Sequence, residues 1–284
     1  MSSQDYFQGI LNSYSAALPS KAAYLERIGL EGEDIPITKE GLDKLQWAHL
    51  QNIPFENIDI FDYDLNIDFG IVKAFEKIIS GKRGGYCFEL NSIYMKLLEE
   101  LGFDVYPVGA RIMLSGSHYT PAVSHRATIV TIAGSRYYSD VGFGLSSAPC
   151  ASICIDVSDE QEVGGRIYTV TDLPHNNKLI TQHNDDGQLT LFQFSTDPFA
   201  LLDFLSCNMM MQQLGWRAKR IANLRTADGA ISIDGDILRV TKGKERTESA
   251  IKSAGEAMNI LTEQFGMTLT KPLREEATDD RFPF

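Results

Sequence analysis

The segment RGGYCFELN at residues 83–91 begins the most regular helical pattern of the chain. Apolar side chains recur through residues 88–101 at the spacing of one helix face, and Gly102 follows where a glycine typically ends a helix. The two glycines allow a tight turn, which places Cys87 at the start of that helix. Free amides and the helix dipole at this position favour a thiolate, the nucleophilic form of cysteine. A small buried thiol in a core helix is the competing interpretation.

The patterns on either side predict helices before this segment and strands after it. Upstream, residues 21–30, 38–52 and 71–79 have amphipathic helical spacing, with Thr38 as the N-cap of the second helix. Downstream, the apolar period changes from 3.6 to 2, which predicts a small antiparallel barrel or sandwich. The predicted strands are 105–114, 126–132, 136–141, 166–171, 178–182 and 188–194.

The last third of the chain returns to mixed patterns. Residues 198–213 predict a helix, and residues 231–240 predict a hairpin that turns at Asp234-Gly235-Asp236. Residues 246–265 predict a final helix that Gly266 ends. The chain is therefore expected to have an α+β fold with more than one domain.

Composition excludes several classes of protein. The chain has 284 residues, with 26 Lys and Arg against 38 Asp and Glu, and a net charge of −12. This balance argues against a nucleic-acid binder, and no stretch approaches the ~20 apolar residues of a membrane-spanning helix. The four cysteines are too few for a disulfide framework and match no zinc pattern. With no secretory signal, we expect a cytoplasmic protein that binds no metal, no nucleic acid and no membrane.

A cysteine nucleophile needs a base and a group that orients the base. Among five histidines, His125 begins a clear strand, and that strand enters a hairpin that ends at Asp140. If residues 133–134 form the turn, Ile132 pairs with Ser135, and His125 and Asp140 share a face within reach of a hydrogen bond. A slip of one residue would put them on opposite faces. The alternative is a surface histidine and a turn aspartate with no common role.

Three segments together resemble the signature motifs of the arylamine N-acetyltransferases. They are RGGYCFELN at 83–91, SHR at 124–126 and SDVGFG at 139–144, with spacings of 38 residues from Cys87 to His125 and 15 from His125 to Asp140. Upstream, YLERIGL at 24–30 and HLQNIPFENIDI at 49–60 are similar to the N-terminal helices of that family. A weaker similarity continues to about residue 265.

The resemblance implies a fold built around a papain-like cysteine triad. An N-terminal helical bundle that carries the nucleophile helix would cover residues 1–102, and a middle antiparallel β-barrel would cover residues 103–197. An interdomain helix and linker would follow at 198–223, and a C-terminal α/β lid at 224–284.

The resemblance also implies an activity that belongs to xenobiotic metabolism. The family transfers an acetyl group from acetyl-CoA to the nitrogen of arylamines, hydrazines or N-hydroxyarylamines through an acetyl-cysteine intermediate, with ping-pong kinetics. Cys87 would be the nucleophile, His125 the base and Asp140 the residue that orients His125. Phe55 and Phe143 would line the pocket for the acceptor amine.

Further roles follow from the same resemblance. Gly142 and Gly144 would contact acetyl-CoA. The position of the Cys87 amide at the helix start, rather than the resemblance, makes it a donor for the oxyanion of the tetrahedral intermediate. Arg83 and Glu56 would form an ion pair that braces the nucleophile loop without taking part in the chemistry.

Three segments depart from the family pattern, and three other functions stay open. Leu145 follows Gly144 in place of a third glycine, residues 208–216 are rich in Met, and the residues before Tyr24 form an extension. The Met-rich segment at 209–211 suggests an alternative donor, which would make the chain an amide synthase that acts on a carrier-bound acyl thioester. A cysteine hydrolase or transglutaminase-like enzyme of the same fold is a further alternative, and a non-catalytic binding module is the last.

Overall fold

The N-terminal hundred residues fold into helices that surround the segment with Cys87. The computed structural model describes residues 3–113, 122–184, 187–214 and 216–279. The fifth helix of this region continues as one π-helical turn through Glu76–Ser80. The helices are α1 (Ser3–Tyr14), α2 (Lys21–Arg27), α3 (Lys39–Asn52), α4 (Ile58–Phe61), α5 (Ile71–Phe75) and α6 (Cys87–Glu100).

Local capping explains where these helices begin. The Thr38 hydroxyl accepts a hydrogen bond from the Gly41 amide at 3.2 Å, which confirms Thr38 as the N-cap of α3. α6 is also confirmed and begins at Cys87 itself, one residue earlier than the apolar spacing predicts. The residues before Tyr24, expected as an extension, contain α1, and its Tyr14 ring stacks on Phe69 at 4.2 Å.

The middle of the chain forms an eight-stranded antiparallel sheet that is nearly closed into a barrel. Its strand order is β5-β4-β3-β2-β9-β8-β7-β6. At the seam, the Gln161 side chain donates to the Cys154 carbonyl and accepts from the Cys154 amide, both at 2.8 Å, so a side chain joins the two edge strands. Leu114, the last residue of the first predicted strand, lies outside the described residues. The strands are β2 (Asp104–Ile112), β3 (His125–Ile132), β4 (Ser135–Ser139), β5 (Ile153–Cys154), β6 (Gln161–Val163), β7 (Arg166–Leu173), β8 (Asn177–Asn184) and β9 (Gly187–Ser195).

The C-terminal part is a second antiparallel sheet with one helix packed against it. The short strand β1 (Phe55–Glu56) joins this sheet, whose order is β1-β10-β11-β12-β13. No helix in the described parts of the chain is long and apolar enough to cross a membrane. The remaining elements are α7 (Asp203–Leu214), β10 (Ile221–Thr226), β11 (Gly229–Asp234), β12 (Ile237–Lys242), β13 (Glu245–Ala250) and α8 (Ala254–Glu263).

Two helix predictions in this region are wrong at their N-terminal ends. Residues 246–250 belong to β13, because Gly243 adopts a φ of +57° and turns the chain back to pair with β12. The last helix starts only after Ser253, whose hydroxyl caps it by accepting from the Glu256 amide. The helix predicted from residue 198 starts at Asp203. The predicted hairpin at 231–240 is confirmed.

β1 ties the helical region to the C-terminal sheet. It pairs Phe55 with Asn223, and the Phe55 side chain lies in the core of the helical region, whereas Ile58 lies in the core of the C-terminal part. β10 crosses the predicted boundary between residues 223 and 224, so the boundary that we propose lies near residue 220.

The Asn57 side chain hydrogen-bonds the chain that leads into β10. Its buried amide donates to the carbonyls of Trp216 at 2.9 Å and Lys219 at 2.8 Å. Its carbonyl oxygen accepts from the Ile221 amide at 2.7 Å. One side chain therefore satisfies three backbone groups of the chain that enters β10.

Replacing Asn57 by Ala should destabilise the fold strongly. The change leaves three backbone groups without a partner, and each unsatisfied buried group costs roughly 1–3 kcal/mol, so we expect a loss of about 3 kcal/mol in the free energy of unfolding. Urea unfolding measures this loss. Asn259→Ala on the exposed side of α8 is the control and should change stability by less than about 0.5 kcal/mol. Equal losses in both variants would contradict the role of Asn57.

Candidate active site

Cys87 is the first residue of α6, and its side chain is buried. The turn before it lies against β1, where the Glu56 amide donates to the Gly85 carbonyl at 2.9 Å and the Gly85 amide donates to the Pro54 carbonyl at 3.3 Å. A Cβ at Gly84 would lie 2.2 Å from the Pro54 carbonyl oxygen, so no larger residue fits there. The glycines thus allow close contact between two backbone segments.

The barrel brings His125 and Asp140 together. Ile132 pairs with Ser135 across the β3–β4 turn, which confirms the register predicted from the sequence. His125 begins β3 and Asp140 directly follows β4, and Nε2 of His125 lies 2.6 Å from Oδ2 of Asp140. Since Nε2 faces Asp140, Nδ1 is the ring nitrogen left for Cys87.

The Asp140 carboxylate has hydrogen-bond partners on both oxygens. Oδ2 faces His125 and also accepts from the Tyr138 hydroxyl at 3.3 Å. Oδ1 accepts from the Asn91 side-chain amide and from the Gly142 backbone amide, both at 2.8 Å. Four groups therefore hold a buried carboxylate in one orientation.

Asn91 is a site residue to which the sequence alone assigns no role. Besides Asp140, its amide donates to the Arg126 carbonyl at 2.6 Å, and its oxygen accepts from the Val141 amide at 3.0 Å. Asn91 lies four residues after Cys87, hence on the same face of α6. A buried polar residue at this spacing from a nucleophile is the signal that identifies it.

The charges around His125 favour its protonated form. Burial by itself lowers the pKa of His125, but the charge and hydrogen bond of Asp140 outweigh burial, and Cys87 adds to their effect. Together these contributions raise the pKa to about 10. The imidazolium form of His125 is therefore favoured near neutral pH, next to the side chain of Cys87.

Aromatic rings enclose His125. The Phe143 ring meets it edge-on with centroids 6.2 Å apart, and the Phe192 ring of β9 stacks on it at 5.8 Å. Phe143 and Phe192 also contact each other at 4.6 Å. Phe143 is predicted from the sequence and Phe192 is not, because nothing in the sequence relates β9 to His125.

Phe55, the second predicted pocket residue, lies beside Gly144 of the SDVGFG segment. Its ring contacts Trp216 at 5.3 Å. Gly144 has a φ of +76°, and a Cβ there would lie 2.8 Å from atoms of the Phe55 ring. Gly142 is equally crowded, since a Cβ there would lie 2.7 Å from the Cys87 Cα atom. Packing thus requires both glycines, and contact with acetyl-CoA stays a prediction for each.

The predicted ion pair below the nucleophile turn is confirmed and is part of a larger network. Nη2 of Arg83 lies 2.8 Å from Glu56 and 2.9 Å from Asp59. Lys77 bridges Asp59 and Glu89, each at 2.9 Å. Burial raises the pKa of Glu89 to about 7, although Lys77 opposes this rise. Three carboxylates and two cations fix α6 to the segment that carries β1.

Similarity to known proteins agrees with this geometry. The N-acetyltransferase family model matches residues 38–274. The arylamine N-acetyltransferase of Mycolicibacterium smegmatis is 28% identical over 87% of this chain and 91% of its own. The chain belongs to the arylamine N-acetyltransferase family. Members of this family are acyltransferases that use acetyl-CoA, and this chain is an acyltransferase of the family.

Two solved structures of arylamine N-acetyltransferases have the same fold. The M. smegmatis enzyme superposes with a TM-score of 0.81 at 26% identity, over 88% of this chain and 93% of that one. The Mycobacterium marinum enzyme in complex with CoA gives a TM-score of 0.80 at 24% identity, over 87% and 93% of the two chains. In the described residues, no group of three or more His, Cys, Asp or Glu side chains is placed to hold a metal ion.

Asp140→Asn should remove the positive charge from His125 at neutral pH. Without the carboxylate, burial dominates and lowers the His125 pKa, so the ring should be neutral at pH 7 in the variant and protonated in the parent. The ¹⁵N chemical shifts of the labelled imidazole, followed against pH, measure this difference. A neutral ring in the parent at pH 7 would contradict the assignment.

The titration of His125 also predicts that the free energy of unfolding depends on pH. His125 has a higher pKa in the folded than in the unfolded state, so its stabilisation is fully present below about pH 6.5 and is lost as pH rises towards 10. Asp140→Asn should lack this loss between pH 7 and 10 in urea unfolding.

Gly142→Ala should impair acetyl transfer while the chain still folds. The added methyl group displaces Cys87 or Asn91, and a displacement of about 1 Å at a reacting group costs roughly 100-fold in rate. Steady-state kinetics and urea unfolding separate this effect from the ~1–3 kcal/mol that overpacking costs. Gly9→Ala is the matched control, because a Cβ at Gly9 meets no atom within 4 Å. Wild-type activity in Gly142→Ala would refute the tight contact.

Proposed function

We propose that the enzyme transfers an acetyl group from acetyl-CoA to the nitrogen of arylamines, hydrazines or N-hydroxyarylamines, with Cys87 as the acetyl carrier. The observation that supports this most directly is the group formed by Cys87, His125 and Asp140 in a chain of this family. In this proposal Cys87 is the nucleophile, His125 the proton carrier and Asp140 the residue that orients His125.

The first half-reaction acetylates the enzyme. The Cys87 thiolate attacks the thioester carbonyl, and a bond forms between its sulfur and the carbonyl carbon. The backbone amide of Cys87, free of an intrahelical partner at the start of α6, faces the resulting oxyanion. The carbon–sulfur bond to CoA then breaks, and the His125 imidazolium gives its proton to the departing sulfur. Free CoA leaves, and His125 is neutral.

The second half-reaction passes the acetyl group to the amine. The amine nitrogen attacks the acetyl-cysteine carbonyl, and neutral His125 takes the proton that the nitrogen loses. The bond between carbon and Cys87 sulfur breaks, which regenerates the thiolate–imidazolium pair and releases the amide. Since the donor product leaves before the acceptor reacts, the kinetics are ping-pong.

The surroundings of the triad fit an aromatic acceptor. Phe143 lies beside His125 and Phe55 beside Gly144, which supports the proposal that both rings line the acceptor pocket. Gly142 and Gly144 are proposed to face the donor. The mechanism needs Cys87 as a free thiol, and a reducing compartment such as the cytoplasm suits this need.

The Met-rich segment adds no support to the amide-synthase alternative. It lies in α7, where the Met209 side chain is 66% exposed and Met211 packs against the core of the helical region. We therefore carry a single function forward, and the other candidates are outcomes of its test.

Intact-protein mass spectrometry tests the proposed function. After mixing with acetyl-CoA alone, the enzyme should gain one acetyl group, and an aromatic amine or hydrazine should then remove it as the acetylated product. Cys87→Ala should gain none and lose at least about 1,000-fold in turnover. Cys207→Ala, which removes a half-buried thiol of α7, is the matched control and should behave as the parent.

Two results would overturn the proposal. Acetylation of the amine by Cys87→Ala excludes Cys87 as the carrier. Release of CoA by the parent without transfer to any amine favours a hydrolase.

A further inference from the structure

A cavity of about 690 Å³ lies where the three parts of the molecule meet, and none of the three triad residues lines it. Trp47 of α3 forms one wall, the Gly164–Arg166 turn of the barrel another, and the start of the C-terminal sheet around Arg225 the third. This volume is in the range of small-molecule binding sites.

Two arginines of this cavity have unsatisfied hydrogen-bond donors. Nη1 of Arg166 and Nε of Arg225 are buried without a hydrogen-bond partner. The described carboxylates that line the cavity are Asp43 and Asp228, and neither forms an ion pair with these two guanidinium groups. Arg225 donates one hydrogen bond to the Ser146 carbonyl and lies over the Trp47 ring at 5.8 Å. Buried donors normally have partners, so these two point to a ligand.

The two positive charges also repel each other. Burial lowers the pKa of Arg225, and the charge of Arg166 lowers it further. An anion bound between them would remove this repulsion and supply the missing acceptors. In a chain of net charge −12, two neighbouring arginines that form no ion pair are conspicuous.

The other charged groups at the cavity do not neutralise the positive charge of the two arginines. Asp43 already pairs with Lys39 and accepts hydrogen bonds from Ser152, so its negative charge is already compensated. Lys44 pairs with Glu33 outside the cavity.

Asp228 remains, a turn residue that accepts from the Thr226 hydroxyl at 3.3 Å. The cavity lining therefore holds one carboxylate without a cationic partner against two guanidinium groups.

We propose that Arg166 and Arg225 bind the phosphate groups of a nucleotide-bearing ligand in this cavity. A planar guanidinium matches the oxygens of a phosphate, and a phosphate or diphosphate carries enough charge for both arginines. The Trp47 ring lines the same cavity and offers a base an apolar contact.

The position of the cavity connects it to the catalytic centre. Arg225 lies two residues beyond Asn223, the β1 partner of Phe55, and this spacing is about 7 Å along a strand. Ser146 lies two residues after Gly144, which touches the Phe55 ring. The nucleotide end of acetyl-CoA is therefore one source of the phosphate, and to that extent the inference rests on the proposed function. A free nucleotide that binds separately is the other source.

Donors with and without phosphate distinguish these sources. Acetyl-CoA and S-acetylpantetheine carry the same thioester, but S-acetylpantetheine has no phosphate group. In Arg225→Met and Arg166→Met, KM for acetyl-CoA should rise about tenfold and KM for S-acetylpantetheine less than twofold. Arg136→Met, which removes an arginine paired with Asp156 on the barrel surface, is the control and should change neither KM.

Calorimetry provides a readout that does not depend on catalysis. CoA and ADP are titrated into Cys87→Ala and into its combinations with the two arginine variants. Since Arg225 also contacts the Ser146 loop, Arg166→Met keeps the test valid if Arg225→Met folds poorly.

Each outcome decides between the possibilities. A selective rise in KM for acetyl-CoA supports the site with the donor as its occupant. Unchanged KM values with loss of ADP binding in the variants support the site with a separate nucleotide. Unchanged KM values and unchanged binding of both ligands overturn the inference. If neither donor acetylates Cys87 in the parent, the proposed function fails, and the ADP titration still tests the cavity.

Discussion

The burial of the Asp140 carboxylate is the constraint on which the rest of the site depends. A buried anion is costly unless several donors satisfy it, and here the donors come from α6, β3, β4 and the loop that follows β4. Each of these elements must therefore be in place before the carboxylate is stable. The same hydrogen bonds orient His125 towards Cys87. One arrangement therefore both satisfies the buried carboxylate and positions the histidine beside the nucleophile. Asn91 matters most in this respect, because it links the helix of Cys87 directly to the hairpin of the other two residues.

The buried charged groups of the molecule lie in two contrasting environments, one with and one without opposite charges. Below the nucleophile turn, Lys77 and Arg83 are surrounded by three carboxylates, and every charged group there has an opposite partner within hydrogen-bond distance. Such a network holds backbone segments in fixed positions. In the cavity at the junction of the three parts, Arg166 and Arg225 lack such partners. Buried guanidinium donors without partners destabilise the fold, but such donors are what a binding site for an anion requires.

Local signals in the sequence were enough for much of the fold and for the triad. Thr38, the stripe in α6 and the β3–β4 register follow from capping, helical period and strand pairing, which depend on residues close in the chain. Long-range contacts were not accessible in this way. Phe192 meets His125 only because β9 pairs with β2, and β1 is a strand only because β10 pairs with it. The helix predicted at residues 246–250 is wrong for the same reason. This polar segment is compatible with a helix, but its pairing with β12 makes it an edge strand.

The pairing of β1 with β10 has a consequence for synthesis on the ribosome. Asn57 emerges early, but its partner Lys219 lies 162 residues later in the chain. At roughly 5–20 residues per second, the segment around Asn57 waits about 8–30 s for its partners. During that interval the nucleophile turn lacks part of its support, and the apolar side chain of Ile58 has no sheet to cover it. The catalytic half of the enzyme is thus made first but completed last, and the nascent chain is exposed to chaperones and to aggregation for most of its elongation.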